Sequence, residues 1–393
     1  MSIRAFYGFD GVATGVQGSS GDAAIAPQPG AGVSNNRNQP LTIKLYNPAA
    51  PQYNAVGVTG LDRHKVGKVG QRRNALVIHR YSYAISFTSG ATVNLFDKIE
   101  GKTDAPWKVV TGFTYVDFAD QEPTVAYWLA RVSRGENPSY FNLIQRRNDG
   151  KISVNGNVVP IERNKEYYFE IELWCDSVVP GRSSNPVSAR VYLDGDLVGE
   201  WLGSFGSFPP TGSTPLGLEV GYVAHASNPI VMQMGVADVY VLDGTGEAPY
   251  NERLGAQQVE FKRPNAVVEG GWIPTGTSNP LTALTDGLDS TGLKSPKGET
   301  AGMVQVNLGL TSSSIVNGVL VYARGDRGPG AQRYLSGVIE DSNSTQVGTT
   351  RKASLGSSLG EIVLADYMPN KTIDMAALIG NRLANITVDF KVE

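Results

Sequence analysis

Residues 235–264, GVADVYVLDGTGEAPYNERLGAQQVEFKRP, decide how this 393-residue chain is divided. The stretch opens with an apolar run, residues 236–242, of the composition expected of a buried strand. It breaks at Asp243-Gly244-Thr245-Gly246, where two glycines permit backbone angles that other residues adopt only under strain. A polar connector follows, and alternation resumes at Val259 and Phe261 before Pro264 stops it. One β-domain is therefore expected to end here and another to begin, with the boundary between Gly244 and Gly255. The division reads as residues 1–245, a connector at 246–265, and residues 266–393.

Upstream, the clearest strand runs from Glu166 to Cys175. Tyr167, Phe169, Ile171, Leu173 and Cys175 share one face; Tyr168, Glu170, Glu172 and Trp174 share the other. That period of two predicts a sheet with one face on the core. Val187, Ala189, Val191 and Leu193 repeat the pattern and run into Asp194-Gly195, a tight hairpin turn. Asp149-Gly150 and Asn155-Gly156 bracket another short strand. Further strands are expected at 3–12, 41–46, 75–79, 81–88, 109–118, 124–132 and 140–145, and after the boundary at 303–308, 315–323, 333–340, 361–364 and 385–392. One short helix is expected at 374–380, with an Asp N-cap and a Gly stop. Residues 54–70 and 266–295 read as irregular. Residues 13–40 read either as a flexible loop or as an arm ordered against a neighbouring subunit.

Residues 238–246 (DVYVLDGTG), with Asn251, Leu254-Gly255, Glu260 and Arg263-Pro264-Asn265-Ala266, resemble the end of a lectin-like domain of concanavalin A or laminin-G type. Such domains occur in many structural proteins of tailed bacteriophages. EYYFEIELW at 166–174 and VSARVYLDGDLVGEW at 187–201 are similar to the laminin-G-like succession of long strand, second strand, tight turn and short partner. The likeness is densest over residues 160–310. It implies an all-β chain: a concanavalin A-like jelly-roll β-sandwich followed by a smaller C-terminal β-sandwich domain. It also implies a non-enzymatic virion component, whether tail, baseplate, neck or head-decorating subunit. Its partners would be other copies of itself and other virion proteins. The alternative is a carbohydrate-binding module recognising host surface glycan.

Forty-six glycines, 22 prolines and 17 tyrosines beside 18% charged residues favour strands and turns over long helices. A net charge of −3 lacks the basic excess of a nucleic-acid binder. Arg63-His64-Lys65, Lys68 and Arg72-Arg73 form a local basic run, read as a solvated loop or protein contact rather than a phosphate site, since no aromatic residues interleave it. The single Cys175 excludes an internal disulfide and a CxxC pair. No run approaches the ~20 apolar residues of a membrane span, and nothing at the N-terminus resembles a signal peptide. The expectation is a soluble protein made in the host bacterial cytoplasm and located in the virion, with no membrane insertion and no nucleic acid.

Lectin-like sandwiches include glycosidases, which need two carboxylates across a sugar bond. Asp194, Asp196 and Glu200 come nearest to such a set, but the first two flank a turn. Glu170 and Glu172 share a strand face and are expected to be a solvent-facing or subunit-facing pair. His64, His79 and His225 are too dispersed for a metal pair or a triad. Gly244-Thr245-Gly246 lacks the third glycine of a dinucleotide loop, and Asp286 and Asp289 lack calcium-loop spacing. No catalytic, cofactor-binding or metal-ligating residue is predicted. Trp107, Trp128, Trp174, Trp201, Phe205 and Phe208 remain as exposed rings suited either to sugars or to protein contacts. The irregular segments 13–40 and 264–300 hold too few large apolar side chains to order alone. They predict a chain that works as one copy in a symmetric assembly.

Overall fold

Strict alternation makes Glu166–Cys175 the centre of an antiparallel sheet, paired with Trp107–Asp117 on one side and Asn185–Leu193 on the other. A computed structural model describes this region and the rest of the chain as follows. Up to residue 96 it gives the strands alone; beyond that it gives 107–117, 122–123, 126–134, 139–176, 185–208, 216–223, 231–242, 247–259, 262–285, 290–296, 300–308, 316–329, 332–357, 360–367 and 385–392. The first sheet runs Asp196–Phe208, Asn185–Leu193, Glu166–Cys175, Trp107–Asp117, Val231–Leu242, Arg73–Tyr81, His64–Val69 and Gln17–Gly18, and Ile3–Tyr7 also pairs with Val231–Leu242. The second runs Asn157–Pro160, Lys151–Val154, Ser139–Arg146, Tyr127–Arg134, Leu216–Val223, Thr92–Phe96, Ala55–Thr59, Leu41–Lys44 and Ala31–Gly32.

Phe113, Phe169, Ile171, Val191 and Val236 from the first sheet meet Leu129, Val132, Ile152, Val154 and Leu218 from the second in one buried core. Each such side chain contributes roughly 1.5–3 kcal/mol on burial, so this core dominates the stability of the unit. Two sheets closed over one core make a β-sandwich. The hairpins turn where expected. Asn155 and Gly156 have φ of 47° and 83°, and Asp194 and Gly195 have 50° and 93°, the left-handed pair that joins twisted strands.

Asp196–Phe208 and Asn157–Pro160 each end their sheet on one side, opposite Gln17–Gly18 and Ala31–Gly32. An open edge strand invites pairing with another chain. Here the Asn155 and Asn157 side-chain amides donate to the carbonyls of Glu200 (2.6 Å) and Val198 (3.1 Å), capping part of that edge.

The chain divides into two compact units, Met1–Glu260 and Phe261–Glu393. In the second, seven strands follow the order Ala266–Gly270, Thr300–Asn307, Asn385–Val392, Arg333–Glu340, Gln346–Leu355, Gly360–Tyr367, Val319–Gly325. Gln346–Leu355 pairs with Gly360–Tyr367 only at Thr349 and Thr350, so the sheet folds over there and its halves face each other. A Cβ on Gly337 would stand 2.7 Å from Leu364 Cβ, so the absence of a side chain lets the halves close. Val304, Val306, Ile339, Ile386 and Val388 form one part of the core, and Leu335, Leu355, Leu364 and Val392 the other.

Several expectations are corrected. The unit division falls inside the 246–265 connector but beyond the Gly244–Gly255 window, because the connector packs onto the first unit. Residues 54–70, expected as a loop, contain the strands Ala55–Thr59 and His64–Val69, and part of the basic run therefore lies on paired strands. Within 13–40, Gln17–Gly18 and Ala31–Gly32 are paired strands, and the remainder lies outside the described residues. Residues 266–295 are not irregular: they hold Ala266–Gly270, Ile273–Thr275, the helix Pro280–Thr285 and Gly292–Lys294. Asn279 Oδ1 caps that helix by accepting from Leu281 N at 2.9 Å. The helix expected at 374–380 lies outside the described residues.

Candidate functional site

The densest polar arrangement lies on the outer face of the first sheet, where a solvent-facing or subunit-facing pair of acids was expected. Glu170 is only 1% exposed and Glu172 6%, which corrects the reading of a solvent-facing pair. The cause is the connector: residues 247–259 lie back over this face as a strap. Tyr250, within it, is fully buried.

Gly112 makes room for the arrangement. A Cβ there would stand 2.3 Å from a Tyr240 ring carbon and 2.8 Å from the Tyr168 ring, so only glycine lets both rings lie across the strand. Tyr240 then donates its hydroxyl to Glu170 Oε1 at 2.5 Å, and Leu254 N donates to that hydroxyl at 3.2 Å. Gly255 N donates to the same Oε1 at 2.9 Å, and Arg253 Nη1 to Oε2 at 3.0 Å. A carboxylate taken out of water needs such partners. Burial and the neighbouring Glu170 raise the Tyr240 phenol far above its ordinary pKa, so it stays a donor.

Asp238 supplies a second catch. It sits at φ 49° where the pairing of Val231–Leu242 with Trp107–Asp117 shifts register between Ala237 and Tyr240. Asp tolerates this left-handed conformation better than most residues. Its Oδ2 accepts from Thr114 Oγ1 at 2.7 Å and its Oδ1 from Val259 N at 2.9 Å, which pins the far end of the strap. Tyr168 donates its hydroxyl to the Asp238 carbonyl at 3.1 Å.

Around this centre lies a partly exposed rim. Glu172 accepts from Tyr192 at 3.2 Å and pairs with Lys108 at 2.8 Å. Burial, then Glu172, raises the Tyr192 pKa. The Arg253 guanidinium lies 3.6 Å above the Tyr192 ring, and that of Arg190 lies 5.0 Å above Trp174. Arg190 also pairs with Glu200 at 2.5 Å. Asp194 Oδ1 accepts from Tyr168 N at 2.7 Å, so it serves its turn. The sequence-level trio Asp194, Asp196 and Glu200 is thus engaged at Asp194 and Glu200 in local structure.

The aromatic set is corrected too. Phe205 is buried, with its ring 5.4 Å from that of Trp201 and 5.7 Å from that of Phe141. Trp128, Trp174 and Trp201 are half-buried. The Trp107 and Phe208 side chains, His225, Asp286 and Asp289 lie outside the described residues; His64 and His79 fall on separate strands.

A second buried ion cluster closes one end of the sandwich. Arg146, 1% exposed, binds Asp117 at 3.0 Å, the Arg147 carbonyl at 2.7 Å, and Glu122. Burial opposes its charge, but Tyr115, Asp117 and Tyr127 outweigh this and the guanidinium stays protonated. Tyr115 lies beside it with a buried hydroxyl that makes no hydrogen bond of normal geometry; burial, then Asp117, pushes its pKa up. Among the described residues no group of three His, Cys, Asp or Glu side chains could hold a metal ion. No described helix is long and apolar enough to cross a membrane.

Sequence reasoning missed Asp117, Arg146, Asp238, Tyr240 and Arg253. Only Asp238 left a signal, an acid inside an apolar run.

No protein-family model and no curated protein matches this chain. Solved structures give distant likenesses. An endo-β-1,4-glucuronan lyase from Trichoderma reesei matches at 12% identity and TM-score 0.34, over 47% of this chain and 89% of that one. An alginate lyase from Aplysia kurodai matches at 13% and 0.34, over 46% and 87%. A Trypanosoma rangeli sialidase matches at 14% and 0.30, over 60% and 32%. The chain is all-β and distantly similar in structure to β-sandwich polysaccharide lyases and a sialidase. Likeness at this distance assigns no chemistry to its residues.

Proposed function

We propose that this chain is a non-enzymatic structural subunit of a tailed-phage virion, acting through contacts with its own copies and with other virion proteins. The resemblance of residues 238–266 to phage lectin-like domains supplies the context. The observation that carries the reading is the state of the outer face. Its acids are held by the chain's own donors, and the rings of Trp174 and Tyr192 are already covered by Arg190 and Arg253. A sugar-stacking platform needs an open ring face, and a glycosidase needs a reachable carboxylate. Among the described residues of the first unit, the large apolar side chains left exposed are Val158, Leu197 and Leu202, at 44, 51 and 61%. All three lie on the terminal strands Asn157–Pro160 and Asp196–Phe208, a placement suited to a protein contact.

The test has two parts. Antibody against the purified protein should label phage particles in electron microscopy at a repeated position. The same protein should leave host capsule and lipopolysaccharide intact and should bind nothing on a glycan array. Particles without label would overturn this reading; saccharide release lost in a Glu172→Gln variant would replace it with an enzymatic one, and glycan binding alone would make it a recognition module.

A further inference from the structure

We propose that residues 247–259 are a latched strap, held by Glu170 and Asp238, and that the latch sets how much chain separates the two units. Val259 is anchored in the first unit through Asp238. Arg263 is anchored in the second, donating to the Thr285 carbonyl, and Asn265 N donates to the Gln305 carbonyl at 2.9 Å. With the strap seated, only residues 260–262 separate these anchors. With it lifted, the connection begins where Val231–Leu242 ends and spans residues 243–262.

The strap has the construction of a separate element. It closes turns on itself, with Tyr250 N donating to Glu247 O at 2.8 Å, Glu252 N to Pro249 O at 3.0 Å, and Gln257 Nε2 to Leu254 O at 2.8 Å. Its polar bonds to the sheet include those to two carboxylates and the Tyr240 hydroxyl. Gly255 is the key position within it. Its φ is 75°, its N–H meets Glu170, and a Cβ built on it would meet nothing within 4 Å. A β-branched residue there strains the strap backbone, while its Cβ would enter open space.

Limited trypsin digestion of the full chain tests this, because the Arg253–Leu254 bond lies inside the latch. In the intact protein that bond should be cut slowly. Gly255→Val should raise its cleavage rate at least tenfold while Arg190, held on its strand, remains protected. Glu170→Gln should do the same, because its NH2 group would face a donor in either orientation, Arg253 on one side or Gly255 N–H on the other. If Glu170→Gln fails to fold, seen as cleavage at Arg190, the Gly255→Val result decides. An unchanged Arg253 rate in Gly255→Val, or loss of protection at Arg190 in step with Arg253, would overturn the proposal.

Discussion

Gly112→Ala is the sharpest probe of the outer-face network, because one methyl group strikes the ring that positions the donor to Glu170. The added carbon would lie 2.3 Å from Tyr240 and 2.8 Å from the Tyr168 ring, well inside van der Waals contact. Either the strands part or the rings turn. Overpacking of this kind costs about 1–3 kcal/mol. If Tyr240 turns, Glu170 loses its 2.5 Å donor, and a hydrogen bond to a buried charge is worth about 1.5–3 kcal/mol. The two costs are alternatives in part, since turning the ring relieves the clash. The expected total is about 2–4 kcal/mol.

Urea unfolding followed by tryptophan fluorescence reads this, since four of the five tryptophans, Trp107, Trp128, Trp174 and Trp201, precede the unit division. With a urea slope of about 3 kcal/mol per molar, the first unit's midpoint should fall by about 1 M. In a Tyr240→Ala background the same methyl meets only Tyr168, so its cost should shrink and a double-mutant cycle should show coupling of ~1 kcal/mol or more. A loss under ~0.5 kcal/mol, or strict additivity, would refute the account of Gly112 as the notch that seats Tyr240.

Arg146→Met should destabilise the first unit by about 3–5 kcal/mol, because it removes the charge that pairs with the buried Asp117; urea midpoints check it, and a change below ~1 kcal/mol would contradict the assignment. Glu122→Gln should cost far less, since that side chain is 35% exposed and water can replace its partner. Alkaline pH should destabilise the fold. Tyr115 and Tyr240 have raised pKa values, so above ~10 the unfolded chain has lost protons that the native state still holds. Their contribution is fully present below that pH and falls by about 1.4 kcal/mol per pH unit for each tyrosine as pH rises. Unfolding midpoints between pH 9 and 11, with phenolate absorbance recorded in parallel, should show both tyrosines ionising only on unfolding; ionisation of all tyrosines before unfolding would contradict it.

The core was legible because it obeys local rules. Glu166–Cys175 alternates cleanly, and Asn155-Gly156 and Asp194-Gly195 take the left-handed turn their side chains favour. Gln346–Leu355 was invisible because QVGTTRKASL carries few apolar residues, and its place is fixed by pairing with Arg333–Glu340. The burial of Glu170 and Glu172 was equally hidden. A polar face covered by the chain's own strap has the same pattern as one facing water. The covering residue Gly255 lies 85 positions away from Glu170. Periodicity registers which residues share a face, and says nothing of what arrives on that face later.

That distinction bears on how the chain meets other molecules. Two of the half-buried rings that sequence offered as contact points are engaged within the chain: Trp174, on the outer face, by Arg190, and Trp201, on the core side, by Phe205. To stack a ligand on Trp174, Arg190 would have to leave both the ring and its 2.5 Å partner Glu200. The terminal strands differ in kind. The Asn155 and Asn157 caps engage the Val198 and Glu200 carbonyls, which blocks strand addition there, yet Leu197 and Leu202 remain exposed beside them. An edge protected against strand pairing but left apolar in its side chains admits a partner that packs and discourages one that zips. In the assembly proposed above, that separation would permit a defined side-chain contact while disfavouring open-ended sheet growth.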